Sequence, residues 1–105
     1  MTGLQFDVCA NPDPASSEAH PYLVVLQTNG LVDLNTRVVA PLIPPKRIPF
    51  FERLMPEVVV KGTRYVIDIT NIGVVPTREL PGAIMNIESH RDRIVAAIDL
   101  VFTGA

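Results

Sequence analysis

The sequence predicts a mainly β domain of the α+β class, in which short antiparallel strands are followed by a single C-terminal helix. Three observations carry this reading. Five short apolar runs are rich in β-branched residues, ten prolines break the chain around them, and from Ser89 onward the apolar period becomes helical. At 105 residues there is room for one domain, spanning 1–105. A chain of this length buries only about two-thirds of its unfolded surface, so pairing with a second copy is expected.

The strand-like runs are Gln5–Cys9, Tyr22–Gln27, Thr36–Ile43, Val58–Val60 and Tyr65–Thr70, with a weaker sixth around Val74–Pro76. Lys61 and Gly62 separate the fourth and fifth runs, which is the signature of an antiparallel hairpin. Asn29-Gly30 and Asp33-Leu34-Asn35 lie between the second and third, so these pair through a longer loop. Proline fixes φ and donates no amide hydrogen, so Asn11–Pro21 and Pro44–Pro56 are loops, the latter with room for one helical turn at Phe50–Met55. At the C-terminus Ile94, Val95, Ile98, Val101 and Phe102 make one helical stripe. Ser89 and Asp92 resemble a capping box, and Gly104 stands where helices stop. Leu100 falls off the stripe, where a partner surface would cover it.

Nine Lys and Arg stand against eleven Asp and Glu, a net charge of −2. Proteins that live on phosphate backbones carry a basic surplus, so direct nucleic-acid binding is not expected. No apolar run approaches the ~20 residues of a membrane span, and the N-terminus has no basic, apolar signal pattern. A cytoplasmic protein with no membrane association is expected, and Cys9, being alone, forms no internal disulfide.

Catalytic chemistry is hard to assemble from these residues. His20 and His90 are far apart with a single Cys, so no metal or other cofactor is expected. Ser16 and Ser17 lack a nucleophile elbow, and the glycines are scattered singly instead of forming a phosphate loop. Lys46, Arg47 and Arg53 read as a solvated rim, and Arg37 as a partner for an acid or a cap for loop carbonyls. Asp99 borders the helical stripe, where it would lend specificity to an interface.

Four segments together resemble the CcdB family of toxins from toxin–antitoxin modules: Gln5-Phe6-Asp7-Val8, Tyr22–Asp33 (YLVVLQTNGLVD), Asn35–Leu42 (NTRVVAPL) and the C-terminal HRDRIVAAIDLVFTGA. The resemblance covers nearly the whole chain. Its most specific part is His90-Arg91 followed by Ala97-Ile98-Asp99-Leu100 and Phe102.

The resemblance implies an SH3-like antiparallel β-barrel of CcdB/MazF type, with a small second sheet and a C-terminal α-helix. It implies a homodimer formed through that helix, at Leu100 and Val101. It implies a non-enzymatic toxin that binds the A subunit of DNA gyrase and traps the cleaved-DNA complex, and that a CcdA-like antitoxin neutralises. The disordered antitoxin segment, acidic or amphipathic, would lie along Asn11–Pro21 and Pro44–Pro56. Gyrase-contacting positions fall on Leu31, Val32, Asp99, Phe102, Thr103, Gly104 and Ala105. The family's well-known member has Asn, Trp and Ile where Asp99, Thr103 and Ala105 stand here. Two alternatives stay open. One is a MazF- or Kid-like mRNA endoribonuclease, with Arg64 and Asp68 or Arg78 and Glu79 at the scissile phosphate. The other is a CcdB-like protein that no longer poisons gyrase.

Overall fold

A computed structural model describes residues 3–45 and 53–104. Among the described residues seven strands precede one helix: β1 Asp7–Ala10, β2 Tyr22–Val25, β3 Thr36–Ile43, β4 Glu57–Val60, β5 Thr63–Ile67, β6 Gly73–Pro76, β7 Ala83–Asn86 and α1 Arg91–Thr103. The strands form one antiparallel network ordered β4-β5-β3-β2-β1-β7, with β6 also paired to β3. Strand β3 is therefore the spine. Its first half pairs with β6, Arg37 opposite Val75, and its end pairs with β5, Leu42 opposite Ile67. The small second sheet expected from the sequence is continuous with the main one through this division of β3.

Pro41 lies inside the spine strand, where a missing amide donor would ordinarily break the ladder. Its carbonyl accepts from the Asp68 amide on the β5 side. In antiparallel strands the N and C=O of one residue face the same neighbour, so the absent N–H falls where β3 changes partner. The proline stands at the one gap in the pairing that tolerates it.

The hairpin expected at Lys61-Gly62 is present, with Val60 opposite Thr63. Lys61 at φ 50° and Gly62 at φ 79° give the two left-handed residues of a type I′ turn, whose twist matches the strands. The first run is shorter than expected: Phe6 takes φ 68° and the Asp7 amide donates back to the Leu4 carbonyl, so regular strand begins at Asp7, although the Phe6 amide still donates to the Val25 carbonyl at 2.7 Å. The fifth run ends at Ile67, and Ile69–Asn71 forms a 3₁₀ turn. Strand β7 is not among the expected runs: Ala83-Ile84-Met85-Asn86 has one β-branched residue, and only pairing with β1 makes it a strand. Of the helical turn expected at Phe50–Met55, residues 50–52 lie outside the described residues.

Side-chain alternation buries both faces of the sheet. Val8, Val24, Leu26, Ala40, Leu42, Val58, Val60 and Ile67 point to the concave side, where Ile94 and Ala97 of α1 close the main core. Cys9, Leu23, Val25 and Val39 point the other way and pack with Leu80. Tyr22 and Tyr65 meet edge-to-face across the strands at 5.5 Å.

The helix begins differently from the capping box expected at Ser89. Its N-cap is His90, with no side-chain cap bond, and the Ser89 hydroxyl lies 3.1 Å from His90 Nδ1. A 3₁₀ turn at Glu88–His90 leads directly into α1 and places Ser89 ahead of the cap. Gly104 does end the helix, at φ 74°, its amide donating to the Leu100 carbonyl.

Candidate functional site

Helix α1 is buried near its start and exposed at its end. Only the first turns of α1 reach the core, through Ile94, Ala97 and partly Ile98. Beyond them Val101 is 37% exposed and Phe102 is 68% exposed. The sequence placed Phe102 on the core stripe. The structure corrects this: among the described residues the stripe joins the core cluster through Ile94, Ala97 and partly Ile98, and its last turn, with Val101 and Phe102, is exposed. Asp99, Thr103 and Gly104 are exposed on the same turn, with the Thr103 hydroxyl donating to the Asp99 carbonyl at 2.7 Å. Leu100 is half-buried and outside the core cluster. Ala105 lies outside the described residues.

Leu31 and Val32 sit on a different element, the loop between β2 and β3. Leu31 is 49% exposed, in a 3₁₀ turn over Asn29–Leu31 that is capped by Thr28, whose hydroxyl accepts from the Gly30 amide. Two buried polar side chains hold this loop. Gln27 Nε2 donates to the Leu31 and Thr36 carbonyls, both at 3.2 Å, and its Oε1 accepts from the Val38 amide. Arg37, 3% exposed, donates to four carbonyls: Gly3 at 2.9 Å, Val32 at 3.0 Å, Leu34 at 2.7 Å and Thr36 at 2.9 Å.

Of the two roles the sequence allowed Arg37, the structure selects carbonyl capping. The guanidinium fork ties the loop carrying Leu31 and Val32 to the N-terminal segment. The sequence did not point to Gln27 in this role; a polar residue closing the apolar run Tyr22–Leu26 is its only signal. Helix α1 packs on the Ile69–Asn71 and Glu88–His90 turns, so the two groups of candidate residues stand on separate supports.

Of the two pairs that would serve phosphodiester chemistry, Arg64 and Asp68 are differently engaged. Arg64 makes a bidentate ion pair with Glu57, at 2.6 and 3.0 Å, its diagonal neighbour across the β4–β5 ladder. That hydrogen bond, with the guanidinium charge, holds the Glu57 carboxyl below its ordinary value. Asp68, beyond the end of β5, accepts instead from the Thr70 hydroxyl at 2.6 Å. Arg64 and Asp68 are thus not brought together. Arg78 and Glu79 are exposed on the turn after β6.

Other groups the sequence raised are structural. Ser16 is bonded within its loop, to Asn11 and Asp13. Burial, then the neighbouring Asp7 carboxylate, pushes the Cys9 thiol up, away from the thiolate that reactivity needs. Among the described residues no three His, Cys, Asp or Glu side chains are grouped to hold a metal, and no helix is long and apolar enough to cross a membrane. Lys46 and Arg47 lie outside the described residues.

A curled antiparallel half-barrel backed by one C-terminal helix is an architecture shared with solved structures. One is an endoribonuclease in complex with its cognate antitoxin from Mycobacterial species. It is 14% identical, with a TM-score of 0.73 over 91% of this chain and 90% of that one. At that identity the likeness is one of fold. No curated protein matches the chain at a significant level. The family model described as CcdB protein matches residues 5–104, and the chain belongs to the CcdB family of toxin–antitoxin toxins.

Proposed function

We propose that this protein is a binding toxin: a homodimer that poisons DNA gyrase by docking the end of α1 on the enzyme's A subunit, and that a CcdA-like antitoxin neutralises. The observation that carries the reading is Phe102, a large aromatic left 68% exposed on the last helical turn beside Val101. Exposing a ring of that size has no benefit to folding, whereas aromatic anchors dominate protein interfaces. Asp99, Thr103, Gly104 and Ala105 complete the tip, Leu31 and Val32 supply a second contact, and Leu100 and Val101 are the dimer-facing residues. Thr103 and Ala105 are smaller than the family's Trp and Ile, which places most of the anchoring on Phe102.

No catalytic step is assigned to the chain. The engagement of Arg64 by Glu57 and of Asp68 by Thr70 supports that assignment, as does a net charge of −2 on a protein that would otherwise have to hold RNA. Incubating the purified chain with gyrase, supercoiled plasmid and ATP is the direct test. Linear DNA released after detergent and protease is the expected product. Intact DNA alongside fragmented messenger RNA would establish the nuclease reading, and intact DNA and RNA would identify a family member that has lost the activity.

A further inference from the structure

Strand β6 is an edge. It pairs with β3 on one side and borders no strand on the other among the described residues. The register shows which of its backbone groups are free. The Thr77 amide donates to the Asn35 carbonyl at 2.7 Å, so alternation makes Arg37 and Val75 the next hydrogen-bonded pair and leaves Val38 and Val74 facing outward. Val38 confirms the phase: its amide goes to Gln27 Oε1 and its carbonyl accepts from Leu26, both on the β2 side. The N–H and C=O of Val74 therefore point away from the sheet, and the residue is 62% exposed.

A groove of about 320 Å³ adjoins this edge, walled by Val74, Val75 and Pro76 on one side and by Asn11–Pro14 on the other, with Glu79 at its rim. Three prolines stiffen the walls, and Asp13 is fixed by the Ala15 amide and the Ser16 hydroxyl. Neither Asp13 nor Glu79 forms an ion pair among the described residues. The groove thus combines an unpaired strand edge, an exposed apolar side chain and two carboxylates. Added-strand recognition uses such parts: main-chain bonds give affinity and alternate side chains give specificity.

We propose that the β6 edge and its groove take up an extended segment of the antitoxin as an added strand, with Lys or Arg of that segment set against Asp13 and Glu79 and an apolar side chain over Val74. The proposal rests on the toxin–antitoxin reading above and names the chemistry of the partner. Charge complementarity selects a basic, apolar-alternating segment over an acidic one.

The test uses a labelled peptide of three Lys-Val repeats and its Glu-Val counterpart, with the full chain, followed by fluorescence anisotropy. The basic peptide is expected to bind and the acidic one not. Val74→Pro removes the outward amide without touching the β3 ladder, and Glu79→Lys reverses the rim charge on an exposed turn. Each is expected to weaken the basic peptide at least tenfold with an unchanged melting curve. Equal binding to wild type and both variants, or none to wild type, would overturn the proposal. In cells, an antitoxin that neutralises wild type and Val74→Pro equally overturns the docking site while leaving the toxin reading standing. A chain that never arrests growth removes the toxin reading, and the peptide result still decides the groove.

Discussion

Arg37 places a permanent charge inside the fold with carbonyls, not a carboxylate, around its donors. Hydrogen bonds from a charged donor contribute about 1.5–3 kcal/mol each when buried, but desolvating the guanidinium offsets much of this. Arg37→Met is expected to cost on the order of 2–3 kcal/mol in urea unfolding, with hydrogen exchange fastest over residues 28–36. Arg37→Lys keeps the charge without the fork and should recover only part. At Phe102 the expectation is reversed from that of a core aromatic. Phe102→Ala should change stability by no more than about 0.5 kcal/mol, whereas Ile94→Ala in the closed core should cost about 2–5 kcal/mol. His90 is held below its ordinary value of 6.5, by burial first and then by the Arg93 charge. The unfolded chain therefore takes up this proton first as pH falls. Stability that is full above 6.5 should decline through that value toward the lower folded one, and His90→Gln should flatten this part of the thermal-stability profile.

Elements were legible where a single physical cue set them. The 3.6-residue period located α1 and Gly104 located its end, since a left-handed cap follows from local chemistry. Likewise, Lys61-Gly62 between two β-branched runs marked the hairpin. Elements fixed by tertiary contact were not legible: β7 exists through its ladder with β1, and the strand expected to start at Gln5 is delayed by the left-handed Phe6. The helix wheel places Phe102 on the stripe without deciding between a ring that packs and one that is presented, and the structure leaves it 68% exposed. A prediction for the hairpin follows from its turn. Lys61 sits at φ 50°, a conformation that costs a non-glycine residue about 1 kcal/mol and that Asn tolerates better. Lys61→Asn is expected to raise the melting temperature by a few degrees, reflecting about 0.5 kcal/mol.

At the scale of the whole molecule, the proposed toxin is a small half-barrel that presents a helix end as its working surface and completes itself as a dimer. Leu100 and Val101 on that helix would be covered by the second copy. Val101→Asp would bury an unpaired carboxylate there, at a cost of several kcal/mol, and is expected to convert a species of twice 11.5 kDa into monomer in sedimentation at micromolar concentration. An unchanged dimer would place the interface elsewhere. The most direct measurement is growth arrest on induction, compared for the full chain, Phe102→Ala and a chain ending at Phe102, each with its melting curve. Terminal residues outside the core contribute little to stability. Arrest by the full chain only is expected, with three closely similar melting curves. Undiminished arrest by both variants would contradict it and move the activity away from the end of α1.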